Sequence, residues 1–335
     1  MLPPPSGESG ERGLPHIGAA ELFAAVSPVD AVDLVIDALR RGLDPAADPG
    51  RGSVRFDAGE LLTMPAEFAG RAGVKLAFVA PGNGARGHAR IQGVYVLLDS
   101  ATLVPLATLD GPALTALRTP AVSVAAVESA LLRTATPARV AVVGTGAQAV
   151  GHARVLHDRL LGRRPLERTT FLARTDRPLP AGATPGADLV PLGGPGGRSV
   201  LAAADVVVCA TSAVDPVVDS ELLGDRVVVM AVGSHEPDKR ELDTALMSRA
   251  AVVVEDRGTA LREAGDVIQA IADGGLQESH LLEMADVVRG TVRLPADRPV
   301  VFKGSGMAWQ DLVVAAAVHR RWTSVRDGRP LEVTR

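Results

Sequence analysis

Three groups of residues in this 335-residue sequence have types and spacings that could do chemistry. The first is Gly144-Thr145-Gly146. It follows the β-branched run 139–143 and precedes the helix formers of 147–155. Strand, glycine turn and helix in that order open a dinucleotide-binding βαβ unit. Gly144 permits the sharp turn. Gly146 lets backbone N–H groups approach a pyrophosphate, and Ala149 takes the fingerprint's third position, where helix meets strand. The helix N-terminus adds partial positive charge. The second group, Ala173-Arg174-Thr175, ends the next strand, with no acid before Asp176. An acid there would accept from a ribose 2′-OH. Arg174, helped by Thr175, pairs instead with a 2′-phosphate, so NADP(H) is the preferred cofactor and NAD(H) the other candidate. An arginine in a solvated, charged turn is the alternative. Thr211-Ser212 and Val232-Gly233 stand at strand C-terminal ends, where the crevice of such a sheet lies.

The third group is cations in apolar surroundings. Lys75 interrupts GVKLAFV. Alternation puts it with Ala77 and Val79 on one face, and Leu76 and Phe78 on the other. Arg118 stands before Thr119-Pro120, a fresh helix start. The pattern alone leaves both open as solvated surface residues.

Positioning these groups takes two differently built halves. Ser27-Pro28-Val29-Asp30 starts a helix whose stripe is Val32, Val35, Ile36 and Leu39, ending near Gly42. After a loop over 43–50, strands are expected at 61–64, 74–79, 91–99 and 102–108. Glycine-rich turns and no helix separate them, which gives an antiparallel or mixed sheet. Helices follow at 114–118 and 120–133. From 138 the pattern is βαβ, with strands at 140–143, 169–172, 188–191, 206–210, 227–232, 252–255 and 300–303. Residues 183–199 read as a surface excursion, and 309–325 as the final helix.

Composition narrows the classes. A chain that is 47% hydrophobic fills a large core, and a net charge of −4 calls for no nucleic acid. No apolar run nears the roughly 18 residues of a membrane helix. The single cysteine, Cys209 in VVVCA, excludes an intramolecular disulfide and offers no metal cluster; it reads as a buried, inert thiol. The start, MLPPPSGESGERG, has neither the basic nor the apolar region of a signal peptide, so a cytoplasmic protein is expected.

Met64-Pro65, Lys75 ten residues after that proline, Leu114-Thr-Ala-Leu-Arg118-Thr119, Gly144-Thr-Gly-Ala-Gln148, Gly233-Ser-His-Glu-Pro-Asp-Lys-Arg-Glu-Leu242 and Phe302-Lys-Gly-Ser-Gly-Met-Ala308 occur in one order. The chain thereby resembles the ornithine cyclodeaminase/mu-crystallin family over about residues 20 to 328. The resemblance implies an α/β fold: a Rossmann dinucleotide-binding domain over 136–308, and a second α+β substrate and dimerisation domain with a mixed sheet, from 19–135 with 309–335. Residues 1–18 are left as a disordered tail. It implies a homodimer acting on a small α-amino or α-imino acid with NAD(H) or NADP(H).

By the same resemblance Lys75 is the active-site lysine, and Arg118 binds the substrate carboxylate close to the nicotinamide, beside Thr119. Arg51, fourteen residues before Pro65, is a second carboxylate-binding arginine, with Arg55 a close competitor. Gly144, Gly146, Ala147, Gln148, Thr211, Ser212 and Val232 face the cofactor; Ser305 and Gly306 lie beside nicotinamide and substrate. Proton transfer at an imine suits a lysine whose pKa burial and nearby arginines bring near working pH. Two arginines suit a planar carboxylate. Two positions depart from the cyclodeaminases. His235 replaces a reactive aspartate, and Leu62 replaces a glutamate. His235 either transfers protons or hydrogen-bonds in the cleft. An imine reductase or amino-acid dehydrogenase is therefore expected first. A cyclodeaminase of ornithine or a similar diamino acid is the alternative, and a non-catalytic NADPH-dependent ligand-binding protein the alternative of another class.

Overall fold

Five strands between 52 and 110, with a short one at 16–17, build a six-stranded mixed sheet in the computed structural model, which describes residues 13–328. Its strands are β1 (His16–Ile17), β2 (Gly52–Phe56), β3 (Gly59–Phe68), β4 (Arg71–Val79), β5 (Ile91–Asp99) and β6 (Pro105–Asp110), in the order β1-β6-β5-β4-β3-β2. Only the β1–β6 pair is parallel. Along β3 the alternate residues Leu62, Met64 and Ala66 are buried, as a half-covered strand requires.

Three expectations are corrected here. The tail does not extend to residue 18: Ile17 is fully buried and pairs with Leu109. Residues 1–12 of that expected tail lie outside the described residues. The strand expected at 102–108 begins at 105. Asp99 accepts from the N–H groups of Ala101 and Thr102, and Leu103 has φ +56°, so 99–104 turn. The helices expected at 114–118 and 120–133 are one, α3 (Gly111–Leu131), with Pro120 inside it. Proline removes the N–H that would reach Ala116. Gly151 closes on that flank: a Cβ there would lie 3.0 Å from both the Ala116 carbonyl and the Pro120 ring. Burial of most of α3 outweighs the lost bond.

Helices α1 (Ala19–Ala25) and α2 (Pro28–Arg40) precede the sheet; Ser27 caps α2 through Asp30. Beyond α3 the chain winds an eight-stranded, all-parallel sheet. Its elements are β7 (Ala138–Val143), α4 (Ala147–Leu160), β8 (Leu166–Ala173), β9 (Asp188–Pro191), α5 (Pro195–Ala203), β10 (Val206–Cys209), β11 (Val228–Ala231), α6 (Thr244–Arg249), β12 (Ala251–Val254), α7 (Arg257–Glu263), α8 (Gly265–Ala272), β13 (Leu282–Glu283), α9 (Met284–Arg289) and β14 (Val300–Lys303). The central strands read almost wholly Val and Ala because helices cover both faces. The order β13-β12-β14-β11-β10-β7-β8-β9 puts the crevice at the C-terminal ends of β7 and β10.

The last helix, α10 (Ala308–Arg326), returns to the mixed sheet and packs on β3, β4 and β5. One apolar core runs from α1, α2, α3 and α10 to one face of the parallel sheet. A second, including Val207, Val229 and Val252, fills the other face. Among the described residues no helix is long and apolar enough to cross a membrane, and no group of His, Cys, Asp and Glu could hold a metal ion. Cys209 is free and buried.

Candidate active site

Two adjoining cavities lie between the sheets. The larger, about 650 Å³, follows the glycine turn from Thr145, Gly146 and Ala147 past Thr211 and Ser212 to Arg174 and Thr175. The smaller, about 280 Å³, gathers Arg51, Leu62, Met64, Lys75, Arg118, Thr119, Val232, His235, Ser305 and Gly306. Lys75, Thr115, Gln148 and Thr211 border both. Residues from 51 to 306 in the chain thus meet at one place.

The larger cavity fits a dinucleotide diphosphate. Gly144 has φ +121°, and a Cβ there would stand 2.5 Å from the Ala210 carbonyl, so only glycine turns here. A Cβ at Gly146 would meet nothing within 4 Å, and no side chain caps the first N–H groups of α4. Those donors and the helix dipole suit an anion. Arg174 and Thr175 stand exposed in the wall, and no carboxylate lines this cavity. Arg177, which sequence reasoning missed, donates to Thr145 Oγ1 and Thr175 Oγ1.

A buried ionic cluster underlies the smaller cavity. Alternation along β4 turns Lys75 toward α10, where Nζ meets Asp311 Oδ2 at 2.7 Å. Arg118, from the middle of α3, donates from Nε to the same carboxylate at 3.3 Å and from Nη1 to Gln310 Oε1 at 2.7 Å. Gln310 donates to Glu255, whose oxygens also accept the N–H groups of Ser305 and Gly306. Burial brings the Lys75 ammonium down to about 8; Asp311 opposes that, while Arg118 and Arg51 add to it. Lysine is thus poised to give or take a proton near neutral pH.

Arg51 spends a single nitrogen on its neighbours. Nη2 donates to the carbonyls of Ser305 and Gly306 and pairs with Glu263 at 2.7 Å, leaving Nε and Nη1 for the cavity. The competitor Arg55 lies in exposed β2 and does not line the cavity. Gly306 has φ +84°, and a Cβ on it would lie 3.1 Å from Arg118 Nη1. The missing side chain lets the guanidinium pass. His235 stands exposed at the rim. Partial desolvation there and the positive charge of Arg51 hold its pKa below the usual value, against the pull of Glu236.

Two features keep the floor in register. The buried Glu241 carboxylate accepts from Thr211 N and Oγ1 and from Gly233 N, each at 2.7 Å, clamping the ends of β10 and β11. Buried Lys303 pairs with Asp266 at 3.1 Å, and Asp266 accepts the Glu241 N–H. Burial raises the Glu241 pKa, with Lys303 opposing. His152 donates from Nδ1 to the Gln148 carbonyl and bonds Ser123 through Nε2, fixing α4 to α3; burial brings its pKa to about 4, so it stays neutral. None of Asp311, Gln310, Glu255, Glu241 or Lys303 was singled out from the sequence for a role. The available signal was Gln310-Asp311, a polar pair just before the apolar run 312–318 of the last helix.

Parallel sheet, glycine turn and buried lysine–arginine pocket together define an NAD(P)-dependent oxidoreductase. The model of the ornithine cyclodeaminase/mu-crystallin family matches residues 24–326. A Delta(1)-pyrroline-2-carboxylate/Delta(1)-piperideine-2-carboxylate reductase of Azospirillum brasilense is 33% identical over 270 residues, 81% of this chain and 83% of the relative. The ketimine reductase mu-crystallin of Mus musculus is 31% identical over 235 residues, 70% of each. The crystal structure of a probable ornithine cyclodeaminase from Bordetella pertussis Tohama I superposes with a TM-score of 0.79 at 29% identity, over 95% of this chain and 99% of that one. The chain belongs to the ornithine cyclodeaminase/mu-crystallin family.

Proposed function

We propose that the protein reduces small cyclic α-imino acids with NADP(H). The observation that carries this reading is the Lys75–Asp311–Arg118 cluster, buried where the dinucleotide cavity meets a pocket that pairs cations with the apolar side chains of Leu62, Met64 and Val79. The relatives named as imine reductases support the same substrate class.

When bound, the dinucleotide supplies a hydride to the α-carbon of the imine. Arg51, through Nε and Nη1, and Arg118 hold the substrate carboxylate, so that the carbon faces the larger cavity. Lys75 borders both cavities and holds a proton at Nζ for the imine nitrogen below about pH 8. Leu62, Met64, Val79 and Ile91 give the ring an apolar wall. His235 shapes the rim and trades protons with solvent there. On the cofactor side Gly144, Gly146, Ala147 and Gln148 take the diphosphate, and Thr119, Thr211, Ser212, Val232 and Ser305 the nicotinamide end. Arg174 and Thr175, with no acid in the wall, favour a 2′-phosphate and hence NADP(H) over NAD(H).

In cyclodeamination an acidic side chain is the natural partner for the distal amine. The carboxylate lining the smaller cavity, Glu255, is engaged by Gln310 and two backbone N–H groups.

We divide the chain into a dinucleotide unit at 136–308 and a substrate and dimerisation unit from 19–135 with 309–335, to which β1 adds the edge strand of the mixed sheet. A homodimer would use the mixed sheet's face away from Lys75. Val54, Leu61 and Phe78 fall on one rung there, with Val54 51% and Phe78 43% exposed. A lone, buried, unpaired cysteine suits the cytoplasm.

NADPH carrying deuterium at both C4 positions of the nicotinamide tests the chemistry. Mass spectrometry of the product from Δ1-pyrroline-2-carboxylate should find one deuterium at the α-carbon. Product without the label would refute hydride delivery to that carbon.

A further inference from the structure

Arg177 organises the outer end of the dinucleotide cavity. Its guanidinium donates from Nη1 to Thr145 Oγ1 at 2.8 Å. From Nε and Nη2 it donates to Thr175 Oγ1, at 3.2 and 2.8 Å. Thr145 belongs to the glycine turn and Thr175 to the segment after β8, so one side chain ties two loops across the cavity wall. A guanidinium has donors only. Each threonine oxygen that accepts from it keeps its own hydrogen for another partner. With Arg174 on the same wall, this end offers guanidinium and hydroxyl donors. No carboxylate lines it, and Asp176 stands outside. A ribose 2′-hydroxyl is itself a donor and finds no carboxylate to accept from it. A phosphate monoester accepts through all its free oxygens.

We propose that Arg177 is a specificity-determining residue that aligns the hydroxyls of Thr145 and Thr175 as donors to a phosphate monoester on the dinucleotide ribose. This rests on the NADP(H) reading above and adds to it a second arginine and a hydroxyl from the glycine turn. Arg177 would then act both through its charge and through the two side chains it holds. Lysine at this position keeps the charge and loses the two-ended tie.

Fluorescence titration of NADPH, NADH and adenosine 2′,5′-bisphosphate into the unaltered protein and the Arg177→Ala and Arg177→Lys variants tests it. Arg177 is exposed, so the substitutions leave the core intact. Arg177→Ala should weaken NADPH and the bisphosphate at least about tenfold, as loss of charge-assisted hydrogen bonds does. NADH should stay within about threefold by the same reasoning, because it lacks the phosphate. Arg177→Lys should fall between. Equal weakening of NADPH and NADH would overturn the proposal in favour of a merely structural tie. Unchanged NADPH affinity, with NADPH still preferred, would overturn it while leaving the NADP(H) reading on Arg174. An unaltered protein that binds NADH as tightly as NADPH would remove that reading itself.

Discussion

Lys75 Nζ and Asp311 Oδ2 lie 2.7 Å apart, joining β4 to the first turn of α10 with both side chains almost wholly out of water. The same carboxylate takes Arg118 at 3.3 Å. One negative charge faces two positive ones. Burying such groups costs free energy that close pairing only partly returns, so the cluster is poor evidence for stability and good evidence for a task.

Replacement of Lys75 by alanine should lower turnover on the order of 10²–10⁴-fold, the usual worth of a general acid. Dinucleotide affinity should survive, because the phosphate donors belong to the glycine turn. Arg118→Ala should also raise KM, by removing a carboxylate partner. Steady-state kinetics with parallel NADPH titration separates the two. A Lys75→Ala enzyme keeping more than about a tenth of the rate would put the proton elsewhere.

The pH profile reads Asp311. Reduction uses protonated Lys75, so kcat/KM should fall as pH rises through about 8. Asp311 stabilises the ammonium by charge and hydrogen bond, raising a pKa that burial lowers. Asp311→Asn removes the charge. The alkaline limb should therefore move to lower pH, by about one pH unit or more. A limb that stays, or moves up, would mean that a different group is titrating.

Cofactor choice should follow Arg174. Arg174→Asp puts an acceptor for a ribose 2′-OH where a phosphate partner stood. NADPH affinity should drop and NADH affinity rise, so that their ratio inverts in paired titrations. An unaltered ratio would assign the preference to other residues.

Gly306→Ala should act on substrate, not cofactor. The position has φ +84°, which in a residue with a side chain costs about 1–3 kcal/mol. The new methyl would press on the Arg118 guanidinium, 3.1 Å away. KM for the imino acid should rise while NADPH affinity changes little; an unchanged KM would contradict the close approach.

Much of this was legible in the sequence. The glycine turn carried its own backbone geometry, and the strand-only stretch after Arg51 foretold a sheet without crossover helices. Lys75, Arg118, Arg51, His235 and Gly306, singled out through the family resemblance, line one cavity. The partners of the cations were not legible. Asp311 is 236 residues from Lys75, and only the return of α10 onto β4 makes them neighbours. Pro120 read as a helix start because local rules could not see Gly151 packed against it. Arg177 drew no reading from the sequence, since its contacts depend on two loops brought together.

Redox stoichiometry with Δ1-pyrroline-2-carboxylate tests the central claim most directly. A reductase consumes NADPH mole for mole with the proline it forms, and supplied with ornithine and a trace of oxidised cofactor it makes little proline. That is the result expected here, measured by NADPH absorbance and product mass in one incubation. Rapid proline and ammonia from ornithine without net change in cofactor, and no NADPH loss with the cyclic imine, would contradict it and make the protein a cyclodeaminase.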